Sequence, residues 1–199
     1  MLITGAEERK KGRTALFIDG EYAVSIDTVT FMSSGFRVGA DIDDDELYEL
    51  IRTSKINRAK EKALYLIEYR ARSRKEIEDK LVPLFGEEAS ELAIERLEEL
   101  GLINDEDFAR EFARQLFENR HYSAQRVSFE LMKKGIDRGL ADEIISELEP
   151  DPVEQIERLL RTKYSRCLDD EKGRQRAING LRAMGFSWYD IKDAMDGIS

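Results

Sequence analysis

Apolar residues recur at helical spacing through most of the chain, and the pattern repeats every 50 residues. Three nine-residue segments align at that shift, at residues 73–81, 123–131 and 173–181. Each begins with a small residue, has an apolar residue four positions later, and has leucine four positions after that. Residues four apart lie on one face of an α-helix, so each segment predicts a helix with one buried stripe. The period predicts three tandem units of similar structure.

Each predicted helix carries its own start and stop signals. Ser73, Ser123 and Gly173 are placed to cap the helix N-termini, and Gly135 and Gly185 to end the second and third helices in a left-handed conformation. Two further helices are predicted in each unit. They span about residues 58–70 and 87–100, then 105–119 and 137–148, then 152–166 and 187–196. Phe108, Phe112 and Leu116 are predicted to line the buried face of the second unit's first helix.

These patterns predict a mainly α fold, an elongated and curved array of three tandem three-helix repeats. The repeats are predicted at residues 56–103, 104–149 and 150–199, with Pro150 and Pro152 at the last boundary. Residues 1–55 are predicted as a small N-terminal β-hairpin element followed by a helix. Asp19-Gly20 separates two β-prone runs, which is a strong hairpin signal, and residues 2–4 are placed to add a third strand.

The acidic cluster that begins at Asp41 has two interpretations. Asp41 and the acids after it are suited to cap a helix and to occupy its first turn. A calcium loop counted from Asp41 would need Gly where Glu46 stands and a carboxylate where Arg52 stands. The cluster therefore predicts a helix start.

The formal net charge of the 199 residues is −10, which argues against a general nucleic-acid binder. The charge is segregated, since residues 51–75 carry 9 basic and 2 acidic side chains between two acidic blocks. Such asymmetry favours partner recognition, although helices could pair these blocks within the fold. The N-terminus has no signal-peptide pattern, and no apolar run reaches the about 18 residues of a membrane span. We expect a cytoplasmic monomer.

Candidate catalytic groups are scarce. The chain has no Gly-rich phosphate loop followed by Lys and Ser or Thr, and His121 is its one histidine. The one cysteine, Cys167, lies in a different repeat from His121 and is predicted to be a small packing residue. The carboxylates form runs typical of solvated helix faces. We therefore expect no enzyme activity, no cofactor and no metal.

Basic residues recur at the turn between the first and second helix of each repeat. Repetition at the same turn suits a long acidic or polyanionic partner, although arginines there can also satisfy helix C-termini and neighbouring acids. The candidate partner-binding residues, including two lysines at the end of the second repeat's middle helix, are Arg70, Arg72, Arg74, Lys75, Arg120, Arg126, Lys133, Lys134, Arg174 and Arg176.

Three segments resemble motifs of the RecX family, the regulators of the RecA recombinase. They are residues 69–77 (Tyr-Arg-Ala-Arg-Ser-Arg-Lys-Glu-Ile), residues 100–110 (Leu-Gly-Leu-Ile-Asn-Asp-Glu-Asp-Phe-Ala-Arg) and residues 130–136 (Glu-Leu-Met-Lys-Lys-Gly-Ile). The resemblance covers about residues 56–196, and the N-terminal hairpin and helix resemble the extension of longer members.

The resemblance implies a binding mode. Such proteins are similar in binding within the helical groove of the RecA–single-stranded DNA filament, where they restrain filament growth and lower ATPase and strand-exchange activity. Direct DNA contact is then weak or indirect. Two alternatives stay open, an autonomous DNA-binding module that uses the basic segment 51–75, and an adaptor for some other acidic protein.

Overall fold

The computed structural model describes residues 1–198, and the chain divides into two compact units, Met1–Asn104 and a second that begins at Asp105. Helices dominate both units, which confirms the mainly α prediction. None of the helices in the described residues combines the length and apolar character needed to cross a membrane. The curvature expected of the repeat array stays a prediction, as do the predicted domain boundaries.

The first unit opens with a three-stranded antiparallel sheet of β1 (Ile3–Arg9), β2 (Arg13–Ile18) and β3 (Glu21–Asp27), in that order. Asp19 and Gly20 turn β2 into β3 with φ values of 49° and 88°, as the predicted hairpin requires. The third strand is β1, and it extends well beyond residues 2–4. Ile3, Leu16 and Ile26 are buried in a core beneath the sheet.

Helix α1 (Thr28–Ser33) leads into α2, which runs without interruption over Asp44–Tyr69. The helix predicted after the hairpin and the first helix of repeat 1 are therefore one helix, and the boundary predicted after residue 55 lies inside it. The reason is local, since no Gly or Pro occurs between residues 44 and 69 to end a helix. The helix starts after Asp43, which accepts from the Glu46 N–H at 2.8 Å, while Glu46 accepts from the Asp43 N–H at 2.9 Å.

Two shorter helices, α3 (Arg74–Phe85) and α4 (Glu87–Glu99), complete the first repeat. Ser73 caps α3 as predicted, and Ile77 and Leu81 are fully buried in its core. The predicted helix included Leu100, but this residue lies outside α4 and its side chain is 54% exposed. The helix ends one residue earlier, and the chain turns at Gly101 with φ 68°, which brings Ile103 into the core.

In the second unit, α5 (Asp105–Arg120), α6 (Ala124–Lys133) and α7 (Arg138–Leu148) form the second repeat. Val127 and Leu131 are buried as predicted. Leu116 is buried on α5 as predicted, but the other fully buried positions are Ala109 and Ala113, each one residue after a predicted phenylalanine. Phe108 and Phe112 are only half-buried and stack on each other at 5.6 Å between ring centroids.

The third repeat contains α8 (Pro152–Arg161), a short 3-10 helix (Ser165–Cys167), α9 (Glu171–Ala183) and α10 (Trp188–Ile198). Helix α8 ends five residues before the predicted end at residue 166. Asp170, and not Gly173, caps α9, with its carboxylate accepting from the Gly173 N–H. Gly173 is needed inside the first turn because a Cβ there would collide with the Cys167 carbonyl.

Candidate partner-binding site

The α2–α3 turn places Arg70 directly after the last residue of α2. Its guanidinium donates to both carboxylate oxygens of Glu76, at 2.9 and 3.0 Å, and to the Ala71 carbonyl at 2.8 Å. The hydrogen bonds to Glu76 raise the pKa of Arg70 above its usual range. The Arg70 charge is therefore compensated within its own turn.

The other candidates at this turn also have partners within the first unit. The Nε of Arg72 donates to the Leu66 carbonyl at 3.0 Å, which satisfies the end of α2. Arg74 bonds to Glu98 at 2.5 Å and also to Glu91. Lys75 lies 3.6 Å from Asp79. In the folded chain, therefore, Arg72 satisfies a helix end and the other three side chains pair with neighbouring acids.

Burial opposes the charge of Arg74. Burial alone would lower the pKa of this arginine. The hydrogen bonds and charges of Glu98 and Glu91 have the larger effect, so the pKa lies above its usual range. Arg74 therefore stays charged and ties the start of α3 to α4.

The α5–α6 turn carries a different charge arrangement. Arg120 and Arg126 occupy, 50 residues later, the positions of Arg70 and Glu76. Two arginines cannot form the earlier ion pair. The exposed Arg120 has no hydrogen bond or ion pair to any residue from 1 to 198. Arg126 instead binds Glu130 at 2.8 Å.

Aromatic rings surround Arg126. Its guanidinium carbon lies 5.5 Å from the ring centroids of both Tyr122 and Phe129, and the Lys133 ammonium lies 5.5 Å from Phe129. Cations at this distance from a ring face are attracted to it. We call Tyr122, Arg126, Phe129 and Lys133 the α6 face.

A groove between α6 and α7 adjoins this face, with a volume of about 490 Å³, and both Phe129 and Met132 lie on its wall. Phe129 is 49% exposed and Met132 43%. Sequence reasoning missed both residues. The available signal was position, because Phe129 stands off the buried stripe of Val127 and Leu131 and yet is large and apolar.

The third repeat holds the α5–α6 turn in place. The Ser123 N–H donates to the Met184 carbonyl at 3.0 Å, and Gln155 donates to the Phe117 carbonyl at 3.4 Å. Gly185 approaches so closely that a Cβ there would lie 2.5 Å from the Ser123 Oγ and 2.8 Å from the Arg126 Cβ. Contacts from the third repeat therefore fix this turn.

The remaining candidates lie apart from the α6 face. Lys134 lies over the Phe112 ring, 5.6 Å from its centroid. Arg174 donates through Nε to the Leu168 carbonyl at 3.1 Å, and Arg176 is exposed, with no hydrogen bond or ion pair within the described part of the chain. The structure thus brings Arg126 and Lys133 together around one ring, and leaves the other candidates in separate local environments.

His121 and Cys167 lie in different surroundings. The His121 Nδ1 lies 3.4 Å from an Arg158 nitrogen, and Cys167 is half-buried against the core of the third repeat. Over residues 1–198, no three side chains of His, Cys, Asp or Glu are grouped so that they could hold a metal ion.

Comparison with known proteins gives consistent matches. The RecX first three-helix domain matches residues 59–97, and the RecX second three-helix domain matches residues 104–145. The regulatory protein RecX of Caldanaerobacter subterraneus subsp. tengcongensis is 30% identical over 98% of this chain and 99% of its own length. The regulatory protein RecX of Bacillus subtilis is 29% identical over 98% of this chain and 76% of its own length.

Solved structures share the fold. A crystal structure of regulatory protein RecX has a TM-score of 0.68 at 22% identity, covering 96% of this chain and 98% of that one. RecX from Lactobacillus salivarius has a TM-score of 0.62 at 27% identity, covering 73% of this chain and 97% of that one.

Proposed function

The chain belongs to the RecX family of regulatory proteins, and we propose that it regulates homologous recombination and DNA repair by binding the RecA–single-stranded DNA filament in its helical groove. Bound there, it restrains filament extension and lowers ATP hydrolysis and strand exchange. The observation that carries this proposal is the match to a regulatory protein RecX over nearly the full length of both chains. It acts in the cytoplasm, as a binding protein without chemistry of its own.

The α6 face is the part of the chain best suited to contact the filament. An arginine held between aromatic rings is partly desolvated and keeps a fixed orientation, which lowers the entropic cost of binding an acidic surface. Arg120 and Arg176 add exposed charge without competing internal partners within residues 1–198. Arg70, Arg72 and Arg74 support this role by holding the first repeat together.

Inhibition of ATP hydrolysis tests the proposal directly. RecA is assembled on single-stranded DNA, and its ATPase rate is measured as the purified full chain is added. We expect the rate to fall as the chain approaches RecA in concentration. An unchanged rate with the chain in excess contradicts the proposal, and heat-denatured chain serves as the control.

The second candidate function is an autonomous DNA-binding module that uses segment 51–75. The internal partners of Arg70, Arg72, Arg74 and Lys75 weigh against it, while the exposed Lys55 favours it. This function predicts binding to bare DNA at physiological salt, with an affinity that falls steeply as salt rises. A mobility-shift series over salt concentration separates it from the leading proposal.

A further inference from the structure

Two cavities adjoin along one side of α7. The residues of α7 that line them are spaced i, i+4, i+7, i+8 and i+11, and they are Arg138, Asp142, Ile145, Ser146 and Glu149, the last directly after the helix. Residues at this spacing share one side of a helix. At 1.5 Å per residue, this side is about 16 Å long, which is about three turns of another helix.

The two cavities form one groove. The first is the groove between α6 and α7, with a volume of about 490 Å³, and the second lies between α7 and the link to α8, with about 450 Å³. Asp142 and Ile145 line both, so the groove is continuous at these residues. Volumes of about 300–1,000 Å³ are typical of ligand sites in proteins. The groove therefore has room for several side chains of a bound peptide.

The first half of the groove is apolar and bordered by cations. Its α6 wall carries the half-exposed ring of Phe129, and the charges of Arg126 and Lys133 lie 5.5 Å from the centroid of that ring. Arg138 is exposed on the α7 wall. Glu130 pairs with Arg126 and Lys133, but only 17% of its side chain is exposed. The charge that a partner meets at this half is therefore positive.

The second half of the groove is acidic. Asp142, Glu149 and Asp151 line it, and none of its lining residues in the described part of the chain is basic. Asp151 is occupied as the cap of α8, whereas the Glu149 carboxylate makes no hydrogen bond or ion pair within residues 1–198. Partial burial raises the pKa of Glu149, and the negative charge of Asp190 on α10 raises it further. A cation bound beside Glu149 would relieve this repulsion.

We propose that this groove binds an amphipathic helix of a partner protein, about three turns long, with acidic residues in its first turn and basic residues in its last. The acids face the cations beside Phe129, the bases face Glu149, and the apolar side of the helix covers Phe129 and Met132. A helix of this polarity is itself stable, because its N-terminus carries a partial positive charge and its C-terminus a partial negative one.

Burial of one apolar helix face in a groove is a common mode of peptide recognition. The match of charge at both ends is what selects this helix over one that is acidic or basic throughout. The inference goes beyond the proposed action on the RecA filament, since the groove requires neither RecA nor DNA to bind its ligand.

Synthetic peptides test the groove without any recombinase. The probe is a fluorescein-labelled helical peptide of about 11 residues, with glutamates in its first turn, lysines in its last turn and leucines along one face. Its binding to the full chain is measured by fluorescence anisotropy. Two further peptides keep the leucines but carry glutamates at both ends or lysines at both ends. We expect the probe to bind at least about tenfold more tightly than either of them.

One substitution in each half of the groove locates the binding. Met132→Gln removes an apolar contact, and Glu149→Lys reverses the charge at the acidic end. Each should raise the Kd of the probe at least about fivefold. Glu149→Lys should in addition bind the peptide with glutamates at both ends more tightly than the wild-type chain does, which a loss of structure would not produce.

Matched controls make the result specific. Glu143→Lys introduces the same charge reversal on α7 at an exposed position that does not line the groove. Leu84→Gln removes a 62% exposed apolar side chain from α3. Both should bind the probe with the wild-type Kd. Met132 and Glu149 are exposed as well, so we expect all four variants to fold.

Several results overturn the proposal. They are no binding of the probe, equal affinity for the three peptides, wild-type affinity in both groove variants, and losses in the controls as large as those in the groove variants. A chain that self-associates in light scattering, and loses that association in Glu149→Lys, would assign the groove to a second copy instead. Inhibition of the RecA ATPase is measured in a separate assay, so failure here leaves the proposed function to stand or fall by itself.

Discussion

The α2–α3 and α5–α6 turns occupy the same place in successive repeats, yet their arginines have different partners. In the first, Arg70 and Glu76 form a two-pronged ion pair. In the second, Arg126 stands at the position of Glu76, so Arg120 is left exposed and Arg126 packs against aromatic rings. The sign of the charge at the position of Glu76 therefore decides whether the arginine six residues earlier is paired within its own turn. The repeat preserves the caps and the buried stripe, while surface charge is free to diverge.

The largest effect is expected at Gly185, which closely approaches Ser123 and Arg126 at the second turn. Gly185→Ala requires a side chain at φ 96° and places its Cβ within 2.5 Å of the Ser123 Oγ. The left-handed conformation costs about 1–2 kcal/mol and the overpacking about 1–3 kcal/mol. We therefore expect the free energy of unfolding to fall by about 2–5 kcal/mol in urea denaturation.

Gly101→Ala is the matched control. Its φ of 68° is also left-handed, but a Cβ there would meet nothing within 4 Å. It should cost only the conformational part, about 1–2 kcal/mol. Equal losses of stability in the two variants would mean that the close approach of the third repeat contributes nothing to the α5–α6 turn.

A charge transplant tests whether the difference between the turns determines function. Arg126→Glu with Glu130→Lys gives the second turn the charges that the first has at Glu76 and Lys80, and leaves the net charge unchanged. The introduced carboxylate can pair with Arg120, so we expect the chain to fold. Removal of an arginine anchor should weaken inhibition of the RecA filament at least about tenfold, or about 1.4 kcal/mol.

Glu111→Lys with Arg114→Glu is the control for the transplant. It reverses an exposed ion pair of 3.0 Å on α5, again without changing the net charge. Inhibition should be unaffected by it. If the transplanted chain inhibits as well as the wild type, the α6 face is not the partner-binding surface.

The sequence predicted the parts of the fold that depend on local signals. Ser73 and Ser123 cap the helices expected of them, and the Asp19-Gly20 hairpin forms. The sequence did not correctly predict features that depend on contacts between residues far apart in the chain. Gly173 looked like a cap, but its role is to admit the Cys167 carbonyl. The continuity of α2 from Asp44 to Tyr69 was also missed, because a 50-residue period does not show where an unbroken helix began.

The candidate site was less predictable than the fold, for a related reason. Recurrence of arginine at the turns is visible in the sequence, but the acids that pair with Arg74 lie on α4, 17 and 24 residues away. Whether an arginine is available to a partner depends on such pairs.

The smallest effect is expected for the ion pairs themselves, and it tests the contrast between the turns most finely. A double-mutant cycle with Arg70→Ala and Glu76→Ala should give a coupling energy of about 0.5–1 kcal/mol, because the pair is two-pronged but partly exposed. The cycle for Arg126 and Glu130, a single i,i+4 contact of 2.8 Å, should give about 0.3–0.5 kcal/mol. Both couplings should shrink in high salt. A stronger coupling in the second turn would show that Arg126 is committed to Glu130, and would remove the reason to regard it as available to a partner.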